Sequence, residues 1–346
     1  MKMEMESEKG KKITDVCEKK CENAVFRGER GESVMVYIKK FNICDVIDGG
    51  SCKPHPAFVR GGRVFDGFYV SKYQNVVEGG VALSLPLRDP ATGITLDGAA
   101  EACSAFGEGF QLMTAAEWGA IALLCAKNGF LPYGNNGEGK DFREETTSAV
   151  LSYTDTEKGI YRVQTGSGSE KWAHNCDKSG IYDLTGNVWE WCDGLRLNFG
   201  VLELREDRNS PWRAVSAFDG SPIDSYGEGD VGIIRLDFAD GWYFTGNAPK
   251  SVENKIRFSD FNSIYADEYI GDGARELLAC LGFLPVGDGS LTEGVSLYAN
   301  NGRAERALFR GGRWGQAENS GLFKSCLDDP STYSGAAVGF RSTYFL

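Results

Sequence analysis

Between Phe58 and Leu346 only three stretches carry a helical repeat, and nearly every other apolar run is cut by glycine within a few residues. Such a chain builds neither a helical bundle nor a wound sheet of long strands alternating with helices. In TLDGAAEACSAFG, Thr95 or Asp97 supplies the N-cap and Gly107 the stop. In TAAEWGAIALLCAKNG, Thr114 and Glu117 form a capping box and Gly129 ends the helix. The third helix is expected in GARELLACLG, Gly273 to Gly282. In FVRGGRVFDGFYVSKYQN, residues Val64, Phe68, Val70 and Tyr73 read as strand positions broken by glycine turns. Beyond Gly129 the sequence predicts mostly irregular chain. Glycine accounts for 45 of 346 residues, about twice its usual ~7%, and there is no G-X-Y period. The expectation is an α+β domain with few helices, short strands and long loops.

Charge and composition remove several functions. With 37 Lys+Arg against 49 Asp+Glu the net charge is −12, so a phosphate backbone meets net repulsion and nucleic acid is not expected as a partner. No apolar run approaches the ~18 residues of a membrane span. Met1 to Lys12 alternates charges without an apolar core, so no signal peptide and no direct membrane insertion are expected. The location stays open between virion association and surface display through a partner. Two histidines, His55 and His174, are too few for histidine-rich metal chemistry. Of ten cysteines, several sit in apolar helical contexts such as AIALLCAK around Cys125 and read as buried thiols. Cys17, Cys21, Cys44 and Cys52 leave three alternatives open: a zinc ligand set, disulfides in an oxidising medium, or plain thiols.

Residues 1–57 read as a charged tail and a Cys-bearing appendage, and 58–346 as the main domain. Three blocks in the latter carry a resemblance: FQLMTAAEWGAIALLCAKNGFLPYGNNGEGKDF (110–142), GIYDLTGNVWEWCDGLRL (180–197) and LFRGGRWGQAENSGLFKSCLDDPSTYSGAAVGFRSTY (308–344). In this order, with GNVWEW and RGG-x-W…GFR, they resemble the C-type-lectin-like fold in its formylglycine-generating-enzyme (sulfatase-modifying) subtype. The last block, with SLYANNGRAERALFRGG before it, is most similar to the variable proteins of diversity-generating retroelements, found in bacteria, phages and archaeal viruses. Residues 198–271 look like an insertion. Independently of the resemblance, Val188, Trp189 and Trp191 make a dense apolar patch, and Gly186 and the paired glycines of RGGRW permit conformations that a Cβ forbids. Arg341 is expected to pair with a buried acid or with loop carbonyls.

The resemblance implies two kinds of site. The enzyme relatives use two copper-binding cysteines after RGG-x-W, and here that stretch holds only Cys326. The sulfoxide-synthase relatives need a histidine triad, which two histidines cannot make. No phosphate loop, nucleophile elbow or HExxH is present. The chain is therefore expected not to be an enzyme, the rival reading being a degenerate formylglycine-generating or sulfatase-modifying enzyme. No cofactor is required on this reading. By residue matching, a structural calcium would take Asp183, the carbonyls of Gly186 and Val188, and Glu190, unless Glu190 pairs with a core arginine.

The variable-protein relatives diversify the end of their gene through adenine-directed copying and bind a ligand there. On their spacing the fixed scaffold is Arg310, Gly311, Gly312, Trp314, Gly321, Phe323, Leu327, Gly339, Phe340 and Arg341. The positions implied to vary and contact ligand are Arg313, Gly315, Gln316, Asn319, Lys324, Cys326, Asp328, Asp329, Ser331, Tyr333, Gly335, Ala336 and Ala337. Gln316 and Lys324 are not reachable from AAC or AAT codons by changing adenines, which makes them the weakest members. Trp314, Phe323, Leu327, Val338 and Phe340 are expected to face inward, leaving Tyr333 as the single aromatic of the variable face. The implied ligand is a protein or other surface component; residues 1–57 or the 198–271 insertion would dock the chain onto a virion or surface structure.

Overall fold

The computed structural model describes residues 20–146, 149–227 and 229–345. Two sheets share the C-terminal segment. The smaller has five strands in the order Asn23–Gly28, Gly31–Lys39, Gly67–Ser71, Ser342–Tyr344, Phe110–Leu112, all antiparallel. The larger has twelve strands. Its middle runs Ser296–Ala299, Gly321–Leu327, Arg306–Gly311, Trp189–Asn198, Val201–Leu204, with Val338–Phe340 pairing parallel to the start of Trp189–Asn198.

Four α-helices are present among the described residues: α1 (Ile43–Val46), α2 (Leu96–Ser104), α3 (Ala115–Lys127) and α4 (Asp272–Cys280). The local signals behave as expected. Thr95 Oγ accepts the Gly98 N–H, and Thr114 and Glu117 close a reciprocal capping box. Helix α3 is apolar around most of its circumference, Trp118 to Cys125 being buried without a break, which makes it the central element of the core rather than a surface helix. Its Trp118 indole donates to Leu322 O at 2.6 Å, tying the helix to the C-terminal strands.

The 57/58 boundary does not survive as a structural division. Val36 and Ile38 share one face of the five-stranded sheet and, with Phe41, Val46, Ala57 and Phe58, join the same apolar cluster as α3 and Phe323. From Asn23 onward the N-terminal segment is part of the domain. The 198–271 stretch likewise widens the large sheet, through Val201–Leu204, Arg235–Phe238 and Trp242–Thr245, and its Trp242 and Phe244 are fully buried. After Gly129 the chain is largely irregular to about residue 188, apart from the hairpin Leu151–Asp155 and Ile160–Val163, and from Trp189 onward short strands alternate with long loops.

Candidate functional site

The GNVWEW segment sits where three pieces of chain meet. Gly186 has φ +72°, and a Cβ there would lie 2.2 Å from Asn135 O, so only glycine lets the two loops pass. The strand that follows is flanked by Arg306–Gly311 on one side and Val338–Phe340 on the other. Glu190, fully buried, takes a bidentate bond from Arg341, with Nε–Oε2 at 2.6 Å and Nη2–Oε1 at 2.7 Å. Arg341 completes its donors on Ser71 O and Tyr182 O.

Of the four positions matched to a calcium site, Asp183, Val188 and Glu190 converge on one side chain, and while Asp183 Oδ1 is buried without a hydrogen-bond partner, the other oxygens brought together face donors. The Gln74 amide nitrogen donates to Asp183 O at 3.1 Å, Val188 O at 3.0 Å and Glu190 Oε1 at 3.0 Å. Asp183 Oδ2 accepts the Gly166 N–H at 2.7 Å, while burial pushes its carboxyl up to about 6. A cation among Asp183, Gly186, Val188 and Glu190 would need oxygens that an amide and a guanidinium now hold, so this donor set does not fit calcium.

The C-terminal segment divides by burial. Trp314, Phe323, Leu327, Val338 and Phe340 are all turned inward as expected, and Trp314 donates its indole N–H to Gly159 O at 2.6 Å. Arg310 lies on the side of Phe323 and Leu327, bonded to Leu281 O, Gly282 O and Ser325 Oγ. On the opposite side a cross-strand row runs Phe258, Tyr298, Cys326, Phe309, Trp191, Phe340, each paired with the next in register. Phe258 stacks on Tyr298 at 5.5 Å and Tyr333 stands edge-on to Phe309 at 6.0 Å. The face therefore has more aromatic surface than Tyr333 alone. Phe258, 62% exposed, and Tyr298 come from outside the C-terminal segment. SLYA lies in the string that precedes RGGRW, but its parallel pairing with Gly321–Leu327 leaves no local mark in the sequence.

Two of the positions implied to vary are buried, not exposed. Lys324 is enclosed, its ammonium bonded to Ser296 Oγ at 2.5 Å and to Asn319 Oδ1, and 4.1 Å from the centre of the Tyr298 ring. Burial pulls its pKa down to about 7. Cys326 lies in the aromatic row, and its thiol donates to Asp328 Oδ1 at 2.8 Å. Both belong to a strand covered on its two faces, which a two-residue alternation does not reveal. Gln316 is also structural: its Oε1 accepts the Arg313 N–H at 2.9 Å and closes the turn. Arg313, Gly315, Asn319, Asp328, Asp329, Ser331, Tyr333, Gly335, Ala336 and Ala337 retain solvent access. Among them, burial and the neighbouring Asp328 charge push Asp329 up to about 6.

Neither histidine offers a free lone pair. His55 Nδ1 accepts the Ala57 N–H and His174 Nδ1 the Ile181 N–H, which puts the ring proton on Nε2 in each. Burial lowers their pKa values to about 3 and about 4. Of the four N-terminal cysteines, Cys17 lies outside the described residues. Cys21 stands 3.7 Å from His174 Nε2, Cys44 lies beside Cys52, whose thiol pushes its pKa up, and Cys21, Cys44 and Cys52 do not gather into a common set of metal donors. No described helix is long and apolar enough to cross a membrane.

Residues 46–199 match the family model of the sulfatase-modifying factor enzyme 1-like domain. None of the curated proteins matches the chain. Among solved structures it is similar to PvdO from Pseudomonas aeruginosa, with 14% identity, TM-score 0.39, and 93% of this chain and 98% of that one covered. It is also similar to the Major Tropism Determinant M1 variant, with 13% identity, TM-score 0.34, and 91% and 64% covered. A third similar structure is Treponema denticola variable protein 1, with 13% identity, TM-score 0.32, and 94% and 99% covered. The fold is the expected α+β arrangement, with few helices, short strands and long loops.

Proposed function

We propose that this chain is a ligand-binding protein whose C-terminal segment, about 308–346, presents a retroelement-diversified surface on a rigid scaffold. One observation carries the reading: the loop 328–337 is anchored through its main chain while most of its side chains remain accessible. Asp329 O accepts the Ala307 N–H, Ser331 O the Leu96 N–H, Gly335 O the Gly93 N–H and Ala337 O the Trp189 N–H, all between 2.8 and 3.0 Å. Ser331 N–H is held by the Glu305 carboxylate and Ala336 O by Arg162. Main-chain anchors are indifferent to side-chain identity, so the loop keeps its shape while its residues change. Gln316, which closes its turn, and the buried Lys324 and Cys326 are assigned to the scaffold on this reading. Gln316 and Lys324 are also the two that adenine changes do not reach.

The action is recognition rather than catalysis. Cys326 is the single thiol after RGGRW, and it is buried against Asp328. The ligand is a protein or other surface component, and a display partner would hold the chain on a virion or cell surface. Sequencing the codons for 305–346 across a natural population, with a search nearby for an adenine-rich near-copy, tests the proposal. Substitutions should concentrate at 313, 315, 319, 328, 329, 331, 333 and 335–337, with Trp314, Phe323, Lys324, Phe340 and Arg341 constant. An unvarying 3′ end without a template copy overturns it. The match of residues 46–199 to the sulfatase-modifying domain favours the rival enzyme reading. Copper uptake by the purified protein, with turnover abolished by Cys326→Ala, would establish that reading, and absence of copper binding would remove it.

A further inference from the structure

Residues 42–54 fold back on themselves. Asn42 bridges Pro54 in antiparallel register, the Ile43 N–H donates to Lys53 O, and the Cys44 N–H donates to Ser51 O, both at 2.9 Å. Gly49, at φ +79°, and Gly50 make the return. This pairing sets Cys44, half-buried, beside Cys52, exposed, near enough for the Cys52 thiol to act on the ionisation of Cys44. The surrounding loop is fixed from several sides. Ile43 and Val46 are buried, Asp48 pairs with Lys127 on α3 at 2.7 Å, and Ser51 donates its N–H and hydroxyl to the Glu276 carboxylate on α4 at 2.5 and 2.7 Å. The thiols thus meet on a backbone held in place by other contacts.

We propose that Cys44 and Cys52 are a reversible disulfide pair, formed by exchange with a low-molecular-weight disulfide, that staples the 42–54 loop over α3 and α4. Exposed Cys52, as thiolate, attacks one sulfur of the small disulfide; that S–S bond breaks and one small thiolate leaves. Cys44, having given its proton to solvent, then attacks the Cys52 sulfur and expels the second small thiolate. The protein loses two electrons and two protons, and one oxidised glutathione becomes two reduced ones. The order of attack follows from environment, since the neighbouring Cys52 thiol raises the Cys44 thiol to about 11 and reserves it for the resolving step. The proposal is independent of the ligand-binding face.

The test uses the full chain equilibrated in glutathione buffers from reducing to oxidising, with residual thiols alkylated and the peptides weighed. Cys44 and Cys52 should vanish from the alkylated pool together and reappear as one linked peptide pair, while exposed Cys176 gains only a glutathione adduct. Cys44→Ser should leave Cys52 trapped as that adduct, and Cys52→Ser should leave Cys44 unmodified across the same range. The inference is overturned if wild-type Cys52 accumulates the adduct without resolution. It is equally overturned if both thiols stay free in the most oxidising buffer, or if either links to Cys17 or Cys21 instead.

Discussion

The Glu190–Arg341 node and the 328–337 loop lie at opposite ends of the Val338–Phe340 strand and solve opposite problems. In the node, side chains do the holding: two charges and an amide are fully enclosed, and each donor meets a matched oxygen. In the loop, main-chain carbonyls do the holding and the side chains stand clear. A buried polar network is intolerant because losing one member leaves the others desolvated and unpaired. A loop anchored by its backbone tolerates nearly any residue that accepts its torsions. Rigidity and sequence freedom are therefore compatible within a few residues of each other.

That contrast is open to measurement. The largest expected effect is Glu190→Ala, which strands the Arg341 guanidinium in the interior and should cost about 3–5 kcal/mol in denaturant unfolding; a loss below about 1 kcal/mol would mean the node is not structural. Next comes Lys324, which decides where scaffold ends. Its folded pKa, about 7, lies below the unfolded ~10.4, so the unfolded chain binds more protons between these values. Stability should rise as pH goes from 7 to 10, by on the order of 4 kcal/mol, and Lys324→Met should abolish the rise. Asp183 shifts the other way. Its carboxyl, raised to about 6, favours the folded state while protonated, and stability should fall by about 2 kcal/mol as pH climbs from 4 to 6. Asp183→Asn should flatten that fall. Smallest are changes on the loop: Ser331→Asn and Ala336→Ser should each move unfolding by less than ~0.5 kcal/mol. A change as large as that for Glu190 would erase the distinction between the regions.

What the sequence disclosed depended on how local the cause was. Helix α3 was readable because Thr114 and Glu117 lie three residues apart and act on each other. The inward set Trp314, Phe323, Leu327, Val338 and Phe340 was readable through the spacing of the resembled family. Arg341 called for a buried acid, and Glu190 admitted an arginine partner, but the Gln74 amide that displaces calcium from the reading lies more than a hundred residues away in the chain. The N-terminal segment showed alternation in GESVMVYIK, yet its place in the domain depends on pairing with Gly67–Ser71. Lys324 was placed on the variable face by the spacing of the resembled family. Only the coverage of the strand by Ser296, Asn319 and Tyr298 reverses that expectation.

The position of residues 338–344 has a consequence for synthesis. Val338–Phe340 completes the large sheet beside Trp189–Trp191, and Ser342–Tyr344 is an inner strand of the small one, between Gly67–Ser71 and Phe110–Leu112. Neither sheet closes until these last strands have emerged from the ribosome. Any reading-frame error or premature stop upstream of them leaves two open sheets and an arginine-less Glu190, a product that quality control can recognise as unfolded. On the proposed reading, change within 313–337 is in this way checked by the fold itself, because the strands that report success are translated after those residues.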